Sequence, residues 1–540
     1  MNINKFIKQD KQWMIHPLLF ALFPPVAFYF SNTSQVQLGQ IFSSIIVLLI
    51  FTAIVWYGLS KTRVGRVRAP IIVSVFLFLF FSFQHILYGI KVFVVTTPMP
   101  QFIKPWLETK TGLLFILGSL VMIFGLLVIW VMTTKRDVLF LNSFLNIVAL
   151  VLLLSSTIFP WIGFMRQKTD NAMTAGEFDD YWETHSRQDI QPLITPHNSL
   201  PDIYYIILDG YGSNAIIREL YGMDNSAFEA QLEQLGFYIN RKAHSNYKQT
   251  NLSISSSLNF MYIQDVGPEI SSKNGGISVL DRMVSSNRVF YQLRQAGYSV
   301  AAYSNGYDMT DFEQEADIYL AGSNSPSAFE TGLLNNTPLS LLFWQDAYDW
   351  HREKIAFTFA DLPSTVNIRS PKIVFAHILV PHPPFVYTSD GTAVYPERPF
   401  NIYDGTDFMS VGSMDEYVQG YREQVEFVNR NVLSSVHEIL KNAKKPVIII
   451  LQGDHGPGSM LDHHDLEKTN VDERFSIFSA YYFTDGDYTT LYQGMTPVNT
   501  FRAVFNKYFG TNYEMLGDYS YFSDYLQPFL FIDVTSRLQN

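Results

Sequence analysis

Five long apolar runs in the first third of the chain have the length of membrane-spanning helices. They lie near residues 15–31, 39–60, 69–94, 111–132 and 138–165, and short charged or Pro-containing links separate them. About 20 helical residues are needed to cross a hydrocarbon core. A single run could be a buried core helix, but five in succession predict a five-helix transmembrane bundle over residues 1–165.

The pattern changes beyond residue 200, where short β-rich apolar runs alternate with amphipathic helical stretches. Strands are predicted at 203–208, 299–303, 373–379, 447–451 and 476–483, and helices at 289–296, 414–441 and 498–508. This alternation predicts an α/β domain over residues 200–540, with a mostly parallel sheet flanked by helices. The polar and aperiodic residues 166–199 are expected to form a linker.

The Lys and Arg residues of the membrane part indicate its orientation. Residues 1–168 contain 14 Lys and Arg but three acids, and most of the basic residues precede the first run or join the second to the third and the fourth to the fifth. Basic loops stay in the cytoplasm, so the N-terminus is predicted to be cytoplasmic and residues 200–540 periplasmic or extracellular. We expect a multi-pass protein of the plasma (inner) membrane whose first run is retained as an anchor.

Composition removes several classes of function. The chain contains no Cys, which excludes disulfides, thiolate metal sites, iron–sulfur clusters and a cysteine nucleophile. Residues 169–540 carry 24 basic and 46 acidic side chains, a net charge of −22. Nucleic acid is not expected as a partner, because phosphate binding needs a basic surface.

Acidic residues follow two of the predicted strands. Asp209-Gly210 comes directly after the strand at 203–208, and Asp454-His455 follows the strand at 447–451 after a Gln-Gly link. In a parallel sheet the ligand site lies beyond the carboxyl ends of the strands, and carboxylate and imidazole groups suit a divalent cation. Asp-Gly alone is most often an ordinary turn. The Asp-His pair is more specific, since both polar groups leave a buried strand.

Four short motifs resemble, in chain order, the signature regions of the alkaline phosphatase superfamily. They are Leu208-Asp209-Gly210, Asn-Tyr-Lys-Gln-Thr-Asn-Leu-Ser at 246–253, His377 with Pro-His-Pro-Pro-Phe at 381–385, and Gly-Asp-His-Gly at 453–456. The chain is most similar to the sulfatase-like membrane branch, which includes lipoteichoic acid synthases and phosphoethanolamine transferases. The resemblance implies an alkaline phosphatase/sulfatase-like catalytic domain that follows five membrane spans.

The resemblance also implies a role for each matching residue. Asp209, Asp454 and His455 match metal ligands, and Thr250 matches the nucleophile that also contacts the metal. On its own residues, Thr250 opens an apparent helix, where free backbone N–H groups and the helix dipole favour an oxyanion. A simple N-cap threonine is the alternative. The implied cofactor is one divalent metal ion, Mn²⁺ or Zn²⁺, with Mg²⁺ also allowed.

Four further histidines are candidates for the site. Histidines in the region of His377 and His382 contact the phosphate or the leaving group in the family, and His382 is the better match. Either residue could instead close the Pro-rich turn. His463 and His464 follow the Asp-His motif and are expected to contact substrate or a second metal ion.

The implied function is a metal-dependent phosphotransferase that uses a phosphothreonine intermediate. Its donor would be a phospholipid and its acceptor a hydroxyl of a glycan or lipid. A phosphodiesterase, phosphatase or sulfatase-like hydrolase with the same site is one alternative, and a non-catalytic lipid- or glycan-binding scaffold is another. Two features depart from the relatives: residues 250–254 lack the Cys or Ser motif of formylglycine sulfatases, and the disulfides usual in phosphoethanolamine transferases are absent.

Overall fold

The computed structural model describes residues 13–31, 41–97, 109–169, 175–194, 200–266, 277–322, 328–398, 400–525 and 527–538. The chain forms two units. The first contains Met1–Asp170, Pro326–Trp344 and Glu397–Pro399, and the second contains Asn171–Ser325, Gln345–Pro396 and Phe400–Asn540. The sequence of the α/β domain is therefore interrupted by a segment that belongs to the first unit.

The first unit contains apolar helices over the predicted runs. They are α1 (His16–Ser31), α2 (Ile41–Ser60), α3 (Gly65–Phe81), α4 (Phe83–Thr96), α5 (Lys110–Thr133) and α6 (Leu139–Thr169). In α2, α5 and α6 the apolar stretch is long enough to cross a membrane. Helices α3 and α4 are bent by 54° relative to each other, and together they count as a fourth span if the pair crosses the membrane as one unit. Helix α1 has 16 residues and contains Pro24 and Pro25. The predicted count of five spans is thus not confirmed: the described residues contain three, or four with the bent pair.

The second unit is built on a seven-stranded sheet. Its strands are β1 (Asp202–Leu208), β2 (Tyr238–Ile239), β3 (Ser299–Tyr303), β4 (Ile318–Leu320), β5 (Lys372–Ile378), β6 (Val447–Gln452) and β7 (Ser479–Phe483), in the order β2-β7-β6-β1-β5-β3-β4. The five strands from β6 to β4 are parallel, and β7 and β2 are antiparallel at one edge. Strands β8 (Tyr521–Asp524) and β9 (Gln527–Asp533) form a separate antiparallel pair. The predicted mostly parallel sheet is confirmed.

The remaining helices follow in chain order. They are α7 (Ala175–His185), α8 (Asn214–Tyr221), α9 (Ser226–Gln234), α10 (Thr250–Asn259), α11 (Ile277–Ser285), α12 (Arg288–Gln295), α13 (Ala328–Asn335), α14 (Leu339–Leu342), α15 (Trp344–Asp361), α16 (Gly405–Met409), α17 (Met414–Asn442), α18 (Val471–Phe475) and α19 (Thr500–Tyr508). Ser413 is the N-cap of helix α17, and its Oγ accepts from the Glu416 N–H at 3.2 Å.

Strand β1 lies at the centre of the sheet and is buried on both faces. All seven of its residues are buried, as a continuous apolar run in a parallel sheet predicts. Tyr204, Ile206 and Leu208 belong to one hydrophobic cluster, and their neighbours Ile203, Tyr205 and Ile207 belong to a second. These alternating contacts fix the register of β1, and thereby the place where the chain emerges at Asp209.

Part of the predicted linker is structured. Helix α7 lies within residues 166–199, and its Phe178 and Trp182 are buried in a cluster with Met283 and Val498. These two apolar residues are four positions apart, so the helical periodicity extends over only one turn. The other residues of the helix are mostly polar. This is why the sequence pattern did not predict the helix.

Candidate active site

Two aspartates lie side by side at the carboxyl edge of the sheet. Asp209 follows β1 and Asp454 follows β6, and these strands are adjacent and parallel. The Gly210 N–H donates to Asp454 Oδ1 at 3.1 Å. Gly210 has a φ of 70°, which a glycine adopts without strain. The two strand ends that the sequence singled out are therefore held together by a hydrogen bond through the turn after β1.

The imidazole of His455 is oriented by its own loop. Its Nδ1 lies 2.9 Å from the carbonyl oxygen of Gly456, which can only accept, so Nδ1 carries the proton. The other nitrogen, Nε2, lies 3.3 Å from Asp454 Oδ2 and 3.6 Å from Asp209 Oδ1. Burial lowers the pKa of His455, and the charge of Arg474 adds to this effect. The neutral ring thus directs a lone pair at the two carboxylates.

Thr250 completes this group. It is the first residue of α10, and its Oγ1 lies 3.0 Å from His455 Nε2. The hydroxyl of Ser253, one turn along the helix, donates to the Asp454 carbonyl oxygen at 2.6 Å and ties α10 to the loop after β6. The N-terminus of a helix carries free N–H groups and a partial positive charge. An anionic substrate oxygen would be stabilised beside Thr250.

The donor set fits a divalent cation. Asp209, Asp454 and His455 each place one ligand atom within 4.8 Å of the others, and all three residues are buried. Asp209 Oδ1 and Asp454 Oδ2 have no hydrogen-bond partner among the described residues. Buried carboxylate oxygens without donors are costly unless a cation binds them. Two carboxylates, an imidazole and the Thr250 hydroxyl are ligand types that Zn²⁺ and Mn²⁺ accept.

The structure places His377 and His382 beside the same carboxylate. His377 Nε2 lies 3.3 Å from Asp209 Oδ2, and its Nδ1 contacts Thr310 Oγ1 at 2.8 Å. The His382 ring lies 6.1 Å from the His455 ring, and its Nδ1 lies 2.5 Å from the Pro383 carbonyl oxygen. Burial opposes the charged form of His382, but the Asp209 and Asp404 carboxylates outweigh burial and raise its pKa. His382 can therefore hold a proton beside the cation site.

Asp404 and Arg474 support the site, and sequence analysis did not identify them. Arg474 Nη1 donates to Asp404 Oδ2 at 2.6 Å and to the Gly456 carbonyl at 3.1 Å, and Nε donates to the Lys248 carbonyl at 2.7 Å. This buried guanidinium links the loop of His455 to the segment before Thr250. Burial opposes ionisation of Asp404, but Arg474 and His382 hold its pKa well below its usual range. Asp404 in turn lies 3.7 Å from His382 Nε2.

No sequence signal distinguished this pair. Asp404 lies in a loop before a five-residue helix, and Arg474 lies in α18, which has the charged sequence Val-Asp-Glu-Arg-Phe. A short charged helix is normally a solvated surface element. Only the tertiary packing brings Arg474 into the interior, where it is 4% exposed.

His463 and His464 lie next to this support rather than among the cation ligands. His463 Nε2 contacts the Asp404 carbonyl oxygen at 3.1 Å, and its own carbonyl accepts from Lys248 Nζ at 2.7 Å. His464 is exposed, and its Nδ1 lies 3.2 Å from Asp524. The group that could hold a metal ion, as far as the described residues show, contains neither of them. Their roles remain predictions.

His351 is another buried group near the site that the sequence did not single out. It lies on α15 with its ring 5.3 Å from that of Phe400, and its Nε2 has no hydrogen-bond partner in the described part of the chain. Its pKa is lowered to about 3. Burial is the largest cause, and the positive charges of Lys354 and His382 lower the pKa further. A neutral imidazole with a free nitrogen can form one hydrogen bond to a bound molecule.

Comparison with known proteins finds similarity in structure alone. No protein-family model and no curated protein sequence matches the chain. The solved structures that match include the zinc complex of the C-terminal periplasmic domain of EcEptC from Escherichia coli, with 13% identity, a TM-score of 0.40, and coverage of 60% of this chain and 87% of that one. The integral membrane protein lipooligosaccharide phosphoethanolamine transferase A from Neisseria meningitidis matches with 11% identity, a TM-score of 0.35 and coverage of 87% and 89%.

A 2-O GAG sulfatase also matches, with 11% identity, a TM-score of 0.38, and coverage of 60% of this chain and 78% of that one. Phosphoethanolamine transferases belong to the sulfatase-like membrane branch that the four sequence motifs resemble. At identities this low and TM-scores below 0.5, what the chain does has to be inferred from its own site.

Proposed function

We propose that the chain is a membrane-anchored, metal-dependent phosphotransferase. The observation that carries this proposal is the convergence of Thr250 Oγ1, two buried carboxylate oxygens without donors, and the Nε2 of His455. A nucleophilic hydroxyl in contact with a cation site and at a helix N-terminus suits attack on a phosphoryl group. Carboxylates alone would repel a phosphate, so the cation is required for binding.

Asp209, Asp454, His455 and Thr250 would hold one divalent ion, Zn²⁺ or Mn²⁺, with Mg²⁺ also compatible with the oxygen ligands. When bound, this ion would lower the pKa of the Thr250 hydroxyl and neutralise charge on the phosphoryl oxygens. The N–H groups at the start of α10 would orient those oxygens. Arg474 would fix the position of Thr250 relative to His455, because it donates hydrogen bonds to the carbonyl oxygens of Lys248 and Gly456.

In the first half-reaction, Thr250 Oγ would form a bond to phosphorus after its proton is lost to solvent. The bond from phosphorus to the leaving alcohol would break, and His382 would give that alcohol a proton. This produces a phosphothreonine. In the second half-reaction, His382 would take the proton of an acceptor hydroxyl, whose oxygen attacks phosphorus. The bond from phosphorus to Thr250 would break, and Thr250 would regain its proton from solvent. His377 would hold Asp209 in place through their 3.3 Å contact.

The proposed donor is a membrane phospholipid and the proposed acceptor is a hydroxyl of a glycan or lipid. The helices of spanning length would anchor the site at the membrane. An odd number of spans would place the N-terminus in the cytoplasm and the catalytic unit in the periplasm or outside the cell. Anchoring raises the effective concentration of a lipid substrate without added affinity. Nucleic acid is not a proposed partner, because the catalytic part is acidic.

The test uses the full chain in lipid nanodiscs whose phospholipids carry different headgroups. We expect diacylglycerol to be released from one headgroup class, release to stop with a chelator, and Zn²⁺ or Mn²⁺ to restore it. Release that needs an added glycan or lipid acceptor supports a transferase, whereas release in buffer alone supports the hydrolase alternative. Metal-loaded protein that releases no diacylglycerol from any phospholipid would contradict the proposal.

A further inference from the structure

A segment of the α/β domain's sequence belongs to the membrane unit. Residues 328–343 form α13 and α14, and they cluster with the first unit, not with the sheet that precedes and follows them. Phe329 and Leu333 of α13 are buried in a cluster with Ile41 of α2. Leu341 of α14 is buried against residues of α4 and α5, namely Phe83, Leu87, Leu113 and Ile116.

The packing between this segment and α1 is close. The rings of Phe329 and Phe28 meet edge to face with their centroids 5.5 Å apart. At Gly332, a Cβ atom would collide with the ring of Phe28. A glycine at this position therefore lets the backbone of α13 approach α1 directly, which is how helices associate in a bilayer.

Three polar side chains of the segment form hydrogen bonds within it. Asn336 Nδ2 donates to the Gly332 carbonyl at 3.0 Å, the Thr337 hydroxyl to the Leu334 carbonyl at 2.7 Å, and the Ser340 hydroxyl to the Thr337 carbonyl at 2.8 Å. No charged residue occurs between Glu330 and Asp346. Backbone that is not part of a long helix can enter a low-dielectric environment only when its polar groups are paired in this way.

Two apolar side chains at the C-terminal end of the segment are exposed. Leu342 is 62% exposed and Phe343 is 45% exposed, beside the buried Leu341. Comparable exposure is found on the helices of spanning length, for example 74% at Phe140 of α6 and 60% at Val121 of α5. Large exposed apolar side chains next to a residue that packs on membrane helices indicate contact with lipid rather than water.

We propose that residues 328–343 are a membrane-embedded element of the catalytic domain, with Leu342 and Phe343 in contact with phospholipid acyl chains. The inner face of the element packs on α1, α2, α4 and α5, and its length is too short to span the bilayer. The chain would therefore attach its catalytic unit to the membrane at a second point, remote in sequence from the N-terminal helices. This role is separate from the chemistry proposed for Thr250.

The absence of Cys from the chain allows a direct test with one label at a time. Leu342→Cys and Phe343→Cys, each in the full chain, are labelled with an environment-sensitive fluorophore in detergent and reconstituted into phosphatidylcholine vesicles. Phe140→Cys on α6 is the control for lipid contact. Met414→Cys, 42% exposed at the start of α17 in the second unit, is the matched control for an apolar residue in water. Quenching is measured with a phospholipid that carries a nitroxide on its acyl chain and with aqueous iodide.

We expect the labels at Leu342 and Phe343 to behave like that at Phe140: quenched by the nitroxide lipid about threefold more strongly than the Met414 label, and protected from iodide. Iodide quenching equal to that of the Met414 label would overturn the proposal. Protection from both quenchers would also overturn it, since this would indicate that a protein surface, such as a second copy of the chain, covers the face.

Discussion

Strand β1 begins at a buried aspartate and is followed directly by another, and the two ends differ in how their charge is balanced. Asp202 and Asp209 are 5% and 4% exposed. Asp202 accepts from Lys372 Nζ at 2.5 Å and from Ser370 Oγ at 2.8 Å. Asp209 leaves Oδ1 without a donor among the described residues. Burial and residue type are therefore the same at both ends, and the unsatisfied oxygen is what distinguishes a candidate site from a structural ion pair.

The largest expected effect is at the end that holds Asp209. Thr250→Ala should lower the turnover of phospholipid by about 10⁴-fold or more, because the nucleophile is removed while the fold is kept. The measurement is diacylglycerol release per folded protein. The matched control is Thr500→Ala, at the first position of α19, whose hydroxyl contacts the Tyr481 hydroxyl at 2.9 Å. Turnover by Thr250→Ala equal to that of the control would exclude a covalent intermediate on Thr250.

A substitution at the opposite end of β1 should lower the stability of the fold and leave metal binding unchanged. Lys372→Met leaves the buried Asp202 carboxylate without its cation, which should lower the free energy of unfolding by about 3–5 kcal/mol. Metal content per folded protein should stay unchanged. Lys441→Met removes an exposed partner of Glu438 and should have no measurable effect on unfolding. A loss of metal at unchanged stability in Lys372→Met would contradict the division between the two ends.

A smaller effect is expected at His382, which faces Asp209 without belonging to the ligand group. His382→Gln should lower kcat by about 10²-fold, because the proton donor to the leaving alcohol is lost. Bound metal should remain at its wild-type level. His437→Gln, at an exposed position of α17, is the control. If His382→Gln lost the metal together with its activity, His382 would be a ligand and not a proton donor.

The smallest effect is expected at His464. It was predicted to contact substrate, but its side chain contacts Asp524 instead of a cation ligand. His464→Ala removes an exposed contact to Asp524 and should change kcat/KM by no more than about threefold. His463→Ala is the comparison, since that ring contacts the Asp404 carbonyl oxygen. A loss of tenfold or more at His464 would place substrate much closer to β8 than the present proposal does.

The sequence predicted the sheet because its strands depend on local patterns. Strand β3 matches its predicted bounds, and β1, β5 and β6 agree within a residue or two, since continuous apolar runs mark buried parallel strands. The same strands deliver Asp209 and Asp454 to one edge. Their convergence with Thr250 follows from the topology of the fold, which the motif resemblance implies.

What the sequence did not predict depends on tertiary contacts. Arg474 has no local pattern that distinguishes it from a surface arginine, although it bonds to three backbone or side-chain groups around the site. The return of residues 328–343 to the membrane unit was also missed, because α13 has eight residues and α14 has four, which is far shorter than a spanning helix. The count of five spans stays a prediction, because α1 has only 16 residues and α3 and α4 are separated by a bend of 54°.

The central claim is that Asp209, Thr250, Asp454 and His455 hold one divalent cation, and elemental analysis of the purified full chain tests it most directly. We predict about one Zn²⁺ or Mn²⁺ per chain in the wild type and almost none in Asp209→Asn and Asp454→Asn, while folded Asp202→Asn retains its ion. Wild-type protein that binds no ion when Zn²⁺ and Mn²⁺ are supplied, or Asp209→Asn and Asp454→Asn variants that keep a full complement, would contradict the account.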